Sequence, residues 1–210
     1  MSDLLNRLGY LQTRRDRTPN LDLARDLVAR DDKAGIQEIA KNIWNENKNI
    51  HSDCIVVMYE IAIIDPALVT PYADDFIKLL KNKYQNMVQG AMTALAEIAK
   101  AKPEFIFKHL DEIKKTKEAG SGMIVDKSIS ALAHTSAANE EYGKTIFPYL
   151  IKHLSTCYFK EVSEHAERIL PAVNEFNKAE FIKSLNKRID ELSGSDFTRL
   201  KKIIRIAENR

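Results

Sequence analysis

The chain has 210 residues with 32 basic and 30 acidic side chains, and its formal charge of +2 supplies no global field for nucleic acid or an anionic membrane. With 44% apolar and 30% charged residues, and only seven glycines and six prolines, the composition suits a well-packed, helix-rich soluble protein rather than a disordered one. No segment approaches the roughly 18 apolar residues of a membrane span, Met1 to Tyr10 lacks the pattern of a signal peptide, and Cys54 and Cys157 stand far apart. The expectation is a cytoplasmic protein with two reduced thiols.

Residues 1–32 read as an N-terminal segment ahead of a continuous body over 33–210. Leu4, Leu5, Leu8 and Leu11 have helical spacing, which fits packing on the first unit or binding a partner, packing being the simpler reading. Were this segment to lie in a groove, deleting residues 1–17 would raise affinity for the groove's ligand. Arg14, Arg15 and Arg17 beside Thr18-Pro19 read as a linker. Asn20 to Val28 predicts a short amphipathic capping helix with Asn20 as its N-cap.

From residue 33 onward the chain repeats with a period of 37. One column reads Ile55, Met92, Ile129, Ala166, Ile203; a second reads Met58, Leu95, Leu132, Ile169, Ile206; a third reads Tyr59, Ala96, Ala133, Leu170, Ala207. A fixed period of this length marks a solenoid whose units bury their apolar faces on one another. Apolar residues spaced at three and four predict helix pairs over 33–48 and 51–64, 71–82 and 85–100, 104–117 and 122–136, 142–154 and 159–173, and 178–192 and 196–208. Asp65-Pro66, Thr70-Pro71 and Lys102-Pro103 separate successive pairs, while Gly120-Ser121-Gly122 and Ser193-Gly194-Ser195 separate helices within a pair. Pro148 and Pro171 predict a kink or an early stop. The helix over 51–64 is apolar on nearly every side and needs the N-terminal helix as a cover. Arg199, Lys201, Lys202 and Arg205 give the last helix the charged outer face of a solubilising cap. Cys54 shares a column with Ala91 and Ser128, which marks it as chosen for size. Trp44, next to Ile43, reads as core.

The stretch Gln85 to Ala96 resembles the second helix of a HEAT repeat, with a polar start followed by Val88, the small Ala91 and Leu95, and Phe159 to Val173 follows a similar plan. The likeness covers roughly residues 33–208. Armadillo repeats stand close to this pattern, and two helices per unit rather than three favour HEAT. The resemblance implies an all-α, right-handed αα-superhelix of about five hairpins, with second helices lining a concave inner surface. Proteins of this kind usually bind other macromolecules; a minority, including bacterial alkylpurine DNA glycosylases, do chemistry in the concavity.

On the second helices, Asp53, Gly90, Lys127 and Glu164 form one inward column and Glu60, Glu97, His134 and Pro171 another. Adding Val56, Thr93, Ser130, Glu167 and Ser52, Gln89, Asp126, Ser163 leaves six carboxylates against one lysine, a mildly acidic face that repels a duplex. Asp53, Glu60, Glu97, His134 and Glu164 are therefore the candidate partner-binding residues, and the candidate partner is a protein of basic or mixed charge. Lys81, Lys83, Lys115 and Lys117 form a candidate basic edge; their place at helix C-termini, where cations offset the dipole, accounts for them without phosphate. His153, Cys157 and His165 can approach one another where the fourth pair turns, but their spacing matches no zinc pattern and no fourth ligand accompanies them. No phosphate loop, dinucleotide glycine pattern or nucleophile motif is present. The expectation is a non-enzymatic protein-binding scaffold without cofactor or metal, and the alternative is a nucleic-acid-binding relative of the HEAT-like glycosylases using the lysine edge.

Overall fold

A computed structural model describes residues 2–210. Among them are twelve α-helices and no strand: α1 Thr18–Ala29, α2 Lys33–Asn42, α3 Lys48–Ile64, α4 Ala73–Leu79, α5 Gln85–Ala101, α6 Pro103–Lys108, α7 Leu110–Ala119, α8 Met123–Ala138, α9 Glu140–Thr156, α10 Val162–Ile169, α11 Lys178–Asn186 and α12 Gly194–Glu208. Helices α1, α3, α5, α8, α10 and α12 pack in succession as an inner row, and α2, α4, α6 with α7, α9 and α11 pack behind them. The 37-residue columns are the reason. Ile55, Met92, Ile129, Ala166 and Ile203 are all buried, so each inner helix offers its neighbour the same apolar stripe. One buried apolar cluster runs from Leu5 to Ala207.

Close approach within the row depends on small residues. Cys54, Ala91 and Ser128 are each fully buried at corresponding positions of α3, α5 and α8, and burial pushes the Cys54 thiol up, so it stays protonated. At Gly90 a β-carbon would come within 2.5 Å of Ile55 Cγ1. Ile55 is β-branched and held to one rotamer in a helix, so it has little room to yield.

Three expectations need correction. The first arm of a unit is not always a single helix: the third splits into α6 and α7 about His109, and the second opens with two 3-10 turns, Pro66–Leu68 and Thr70–Tyr72, before α4. Asn20 lies inside the first turn of α1 instead of capping it; the cap position is Arg17, without a side-chain cap, and Asp16 Oδ1 accepts from Thr18 N at 3.0 Å just ahead of it. Helix α9 runs through Pro148 as one 17-residue element. Pro148 and Lys144 are both exposed, so water can satisfy the carbonyl that loses its partner. Pro171 does end its helix early, in the 3-10 turn Leu170–Ala172.

The N-terminal segment closes the first end of the row. Leu5 and Leu8 are buried, Arg7 pairs with Asp26 at 2.6 Å, and Ser2 Oγ donates to Glu38 of α2. Helix α1 covers one side of α3, leaving Ile63 and Ile64 exposed at its C-terminal end.

Gly90→Ala is expected to destabilise the fold by about 1–3 kcal/mol through overpacking, although alanine is the better helix former. In an Ile55→Ala background the same change is expected to cost nothing. Urea unfolding of the four proteins in this double-mutant cycle measures it, and equal penalties in both backgrounds would show that the contact is not what matters at Gly90.

Candidate functional site

The inner row brings the columned polar residues to one surface, and hydrogen bonds show how each is used. Asp53 is committed internally: its Oδ2 accepts from Tyr10 N at 2.7 Å and its Oδ1 from Asn20 Nδ2 at 2.8 Å. Asn20 Oδ1 in turn accepts from Gly9 N at 2.9 Å, so a buried amide and a carboxylate tie the N-terminal segment to α3. The segment covers Asp53, and its side-chain contacts reach α1, α2 and α3. Asp53 is therefore removed from the candidate binding residues.

Most remaining carboxylates already have partners. Glu97, only 14% exposed at its side chain, pairs with Lys100. Glu164 pairs with Arg168 at 2.6 Å, and the same guanidinium stands 3.6 Å from Asp126. Glu167 pairs with Arg199 of α12. The acidic surplus expected from the columns is thus largely offset by Lys100, Arg168 and Arg199, none of which is in a counted column. Two of these pairs are legible in sequence, because Glu97 and Lys100 are three apart and Glu164 and Arg168 four apart on one helix. Glu60 differs. It is half-buried, makes no ion pair among the described residues, and burial pushes its carboxyl up against the opposing pull of Arg25, Arg17 and Lys127.

The four edge lysines have different surroundings. Lys81 and Lys115 line a cleft of about 260 Å³ with Glu112 and Thr116. Lys83 belongs to another cleft, of about 370 Å³, lined by Trp44, Lys48, His51 and Tyr84. Lys117 is half-buried, with its ammonium 5.0 Å from the centre of the Tyr149 ring. Trp44 corrects a further expectation: it is 47% exposed, while Ile43 fills the core. Helix α2 ends at Asn42, so helical periodicity no longer dictates where the indole falls. The His51 and Tyr84 rings meet in this cleft at 5.5 Å between centroids.

No protein-family model matches the chain, and no curated protein matches it. Solved structures do. A designed armadillo repeat protein, YIII(Dq.V1)4CPAF in complex with peptide (KR)4, is similar over 99% of both chains at 16% identity and a TM-score of 0.66. A second, YIII(Dq)4CqI, is similar over 89% of this chain and 86% of its own at 13% identity and a TM-score of 0.66. An engineered protein is similar over 100% of this chain and 98% of its own at 19% identity and a TM-score of 0.63. At these identities the likeness defines the fold, a HEAT/armadillo-like helical-repeat solenoid.

Asp53→Ala is expected to cost about 1–2 kcal/mol by leaving the buried Asn20 amide without its acceptor and the Tyr10 N–H to water, and to make residues before Thr18 the first cut in limited proteolysis. A digestion pattern unchanged from wild type would show that the segment is held by its leucines alone. The folded chain is also acid-sensitive. Burial holds the His134 and His51 rings below their ordinary pKa of 6.5, with Lys100 adding to the effect at His134. The unfolded state therefore binds more protons just below that value, and stability falls as pH drops from about 7 towards 5. Tm measured across this window should fall less steeply in His134→Gln; an unaltered slope would assign the loss to other groups.

Proposed function

We propose that this solenoid is a non-enzymatic, cytoplasmic scaffold that holds an extended segment of a partner protein along its inner row, with Glu60 as the receiving carboxylate. One observation carries the reading. Glu97, Glu164 and Glu167 are each neutralised by a cation of the chain itself, whereas Glu60 is half-buried without an ion pair. A partly desolvated carboxylate is better satisfied by a donor from outside, and a charge-assisted hydrogen bond there is stronger than one at the rim. Elsewhere on the inner helices the half-buried Ser130 and His134 add polar groups, suiting a segment of basic or mixed charge. Affinity would come from repeated contacts along the row rather than from a reactive centre. A structurally similar designed repeat protein is one in complex with the basic peptide (KR)4. The nucleic-acid alternative has less support: Lys117 is half-buried against the Tyr149 ring, and Lys81 and Lys115 share their cleft with Glu112.

The test is fluorescence anisotropy with labelled (KR)4 peptide and with duplex and single-stranded DNA over a salt series. Peptide binding weakened about 10-fold by Glu60→Gln, and unaffected by charge reversal at Lys81, Lys83, Lys115 and Lys117, is expected. DNA binding that falls steeply with salt and disappears in the charge-reversed protein would replace this reading with the nucleic-acid one.

A further inference from the structure

Where the turn between α9 and α10 meets the start of α8, two imidazoles and a thiol converge. His153 lies in the last turn of α9, Cys157 directly follows that helix, and His165 lies on α10. His153 Nε2, Cys157 Sγ and His165 Nδ1 all lie within 4.8 Å of one another, and the two nitrogens stand 2.9 Å apart. Behind them, His165 Nε2 meets Asp126 Oδ1 of α8 at 3.0 Å. The imidazole of His165 is almost wholly enclosed, with 2% of its side chain exposed, while His153 and Cys157 are half-buried and reach solvent.

We infer that His153, Cys157 and His165 form a three-ligand binding site for a zinc-type divalent transition metal, supported by Asp126 and with its fourth position open to solvent. The donor set carries the choice of metal: two nitrogens and a sulfur are borderline-soft ligands that suit zinc and its cobalt substitute and do not suit magnesium or calcium. Geometry agrees with it. Around a tetrahedral zinc, with bonds of about 2.0–2.1 Å to nitrogen and about 2.3 Å to sulfur, donor atoms stand roughly 3.3–3.7 Å apart. The nitrogens need to open by only a few tenths of an ångström and the sulfur to close by about one. Cys157 sits in an extended turn residue past the helix end, where such a shift does not disturb the core.

The carboxylate behind the ring supplies the feature that a chance cluster lacks. Asp126 Oδ1 accepts from the Nε2–H of His165 at 3.0 Å, with the Arg168 guanidinium 3.6 Å from its other oxygen, and this leaves Nδ1 with its lone pair facing the other two donors. This is the carboxylate–histidine–metal arrangement, which fixes tautomer and ring angle together. Without metal, that lone pair takes the Nε2 proton of His153 as a hydrogen bond. On metal entry, His153 changes to its other tautomer and frees Nε2, Cys157 gives up its thiol proton, and one proton per metal leaves the protein. The Arg188 guanidinium donates to the Cys157 and Leu154 carbonyls and is balanced by Glu191, so the backbone that carries the thiol is held in place.

The proposal is independent of the inner-row binding reading, and its test uses the full-length chain, reduced and stripped with a chelator. Titration with Co(II) is expected to give one equivalent bound, with thiolate-to-cobalt charge-transfer absorption that Zn(II) displaces, and a Zn(II) Kd below about 1 μM by competition. Cys157→Ser, checked as folded by circular dichroism, should lose the charge-transfer band and at least about 100-fold in Zn(II) affinity. His153→Gln should lose affinity similarly, Asp126→Asn about 10–100-fold with the band retained, and Cys54→Ala should lose nothing. Failure of the folded wild-type chain to bind Co(II) stoichiometrically, or a charge-transfer band that survives Cys157→Ser, would overturn the site.

Discussion

Everything in this molecule depends on how closely each inner helix can approach the next. The row α3, α5, α8 is built on buried positions that stay small, Cys54, Ala91 and Ser128, and on Gly90, where even one extra carbon would strike Ile55. Small residues bring helix axes together and let the flanking Ile, Met and Leu columns interdigitate. Area buried in this way, unit after unit, offsets the conformational entropy of ordering a chain that folds back only onto its neighbours. The outer pieces can then vary. One unit splits its first arm about His109, another begins with 3-10 turns, and neither interrupts the row.

The repeat itself was legible because burial repeats with the period. Ile55, Met92, Ile129, Ala166 and Ile203 announce a shared environment before any coordinates, and all five are buried. What stayed hidden lies off those columns. The divided first arms depend on local backbone at His109 and at Pro66 to Tyr72, where apolar spacing is compatible with a single helix or two. Trp44 sits beyond a helix end, where adjacency to a core residue says nothing about direction. The inner face seemed acidic because column counting omits cations one helical turn away, Lys100 and Arg168 among them. Asp53 belonged to the counted set and yet serves the N-terminal segment, a partnership across 43 positions that no local pattern encodes.

The approach of His153, Cys157 and His165 was legible at the turn of the fourth pair, but the carboxylate behind them was not. The ligands span the end of one helix, a turn and the buried side of the next, and the supporting carboxylate comes from another unit 39 positions away. Spacing rules describe sites closed within one loop, whereas this one is closed between units. The edge carrying the turns between outer and inner helices is where such assemblies can form. Along it lie the Trp44 cleft, the Lys81 and Lys115 cleft, the histidine and cysteine cluster, and then Arg188 donating to the Leu154 and Cys157 carbonyls. Successive turns leave a gap between units, and this chain fills each gap with different chemistry.

Neighbour-only packing also makes the molecule a lever. In a globule, a shifted side chain is absorbed by contacts on all sides, but here a rotation of α5 against α3 has no distant contact to resist it. The tilt is handed on whole to α8, α10 and α12. The contact of Gly90 with Ile55 lies near one end of the row, so a displacement of less than an ångström there re-aims the opposite end by a much larger arc. Small changes in how closely α3 and α5 approach therefore add to the spacing of side chains all along the row beyond them.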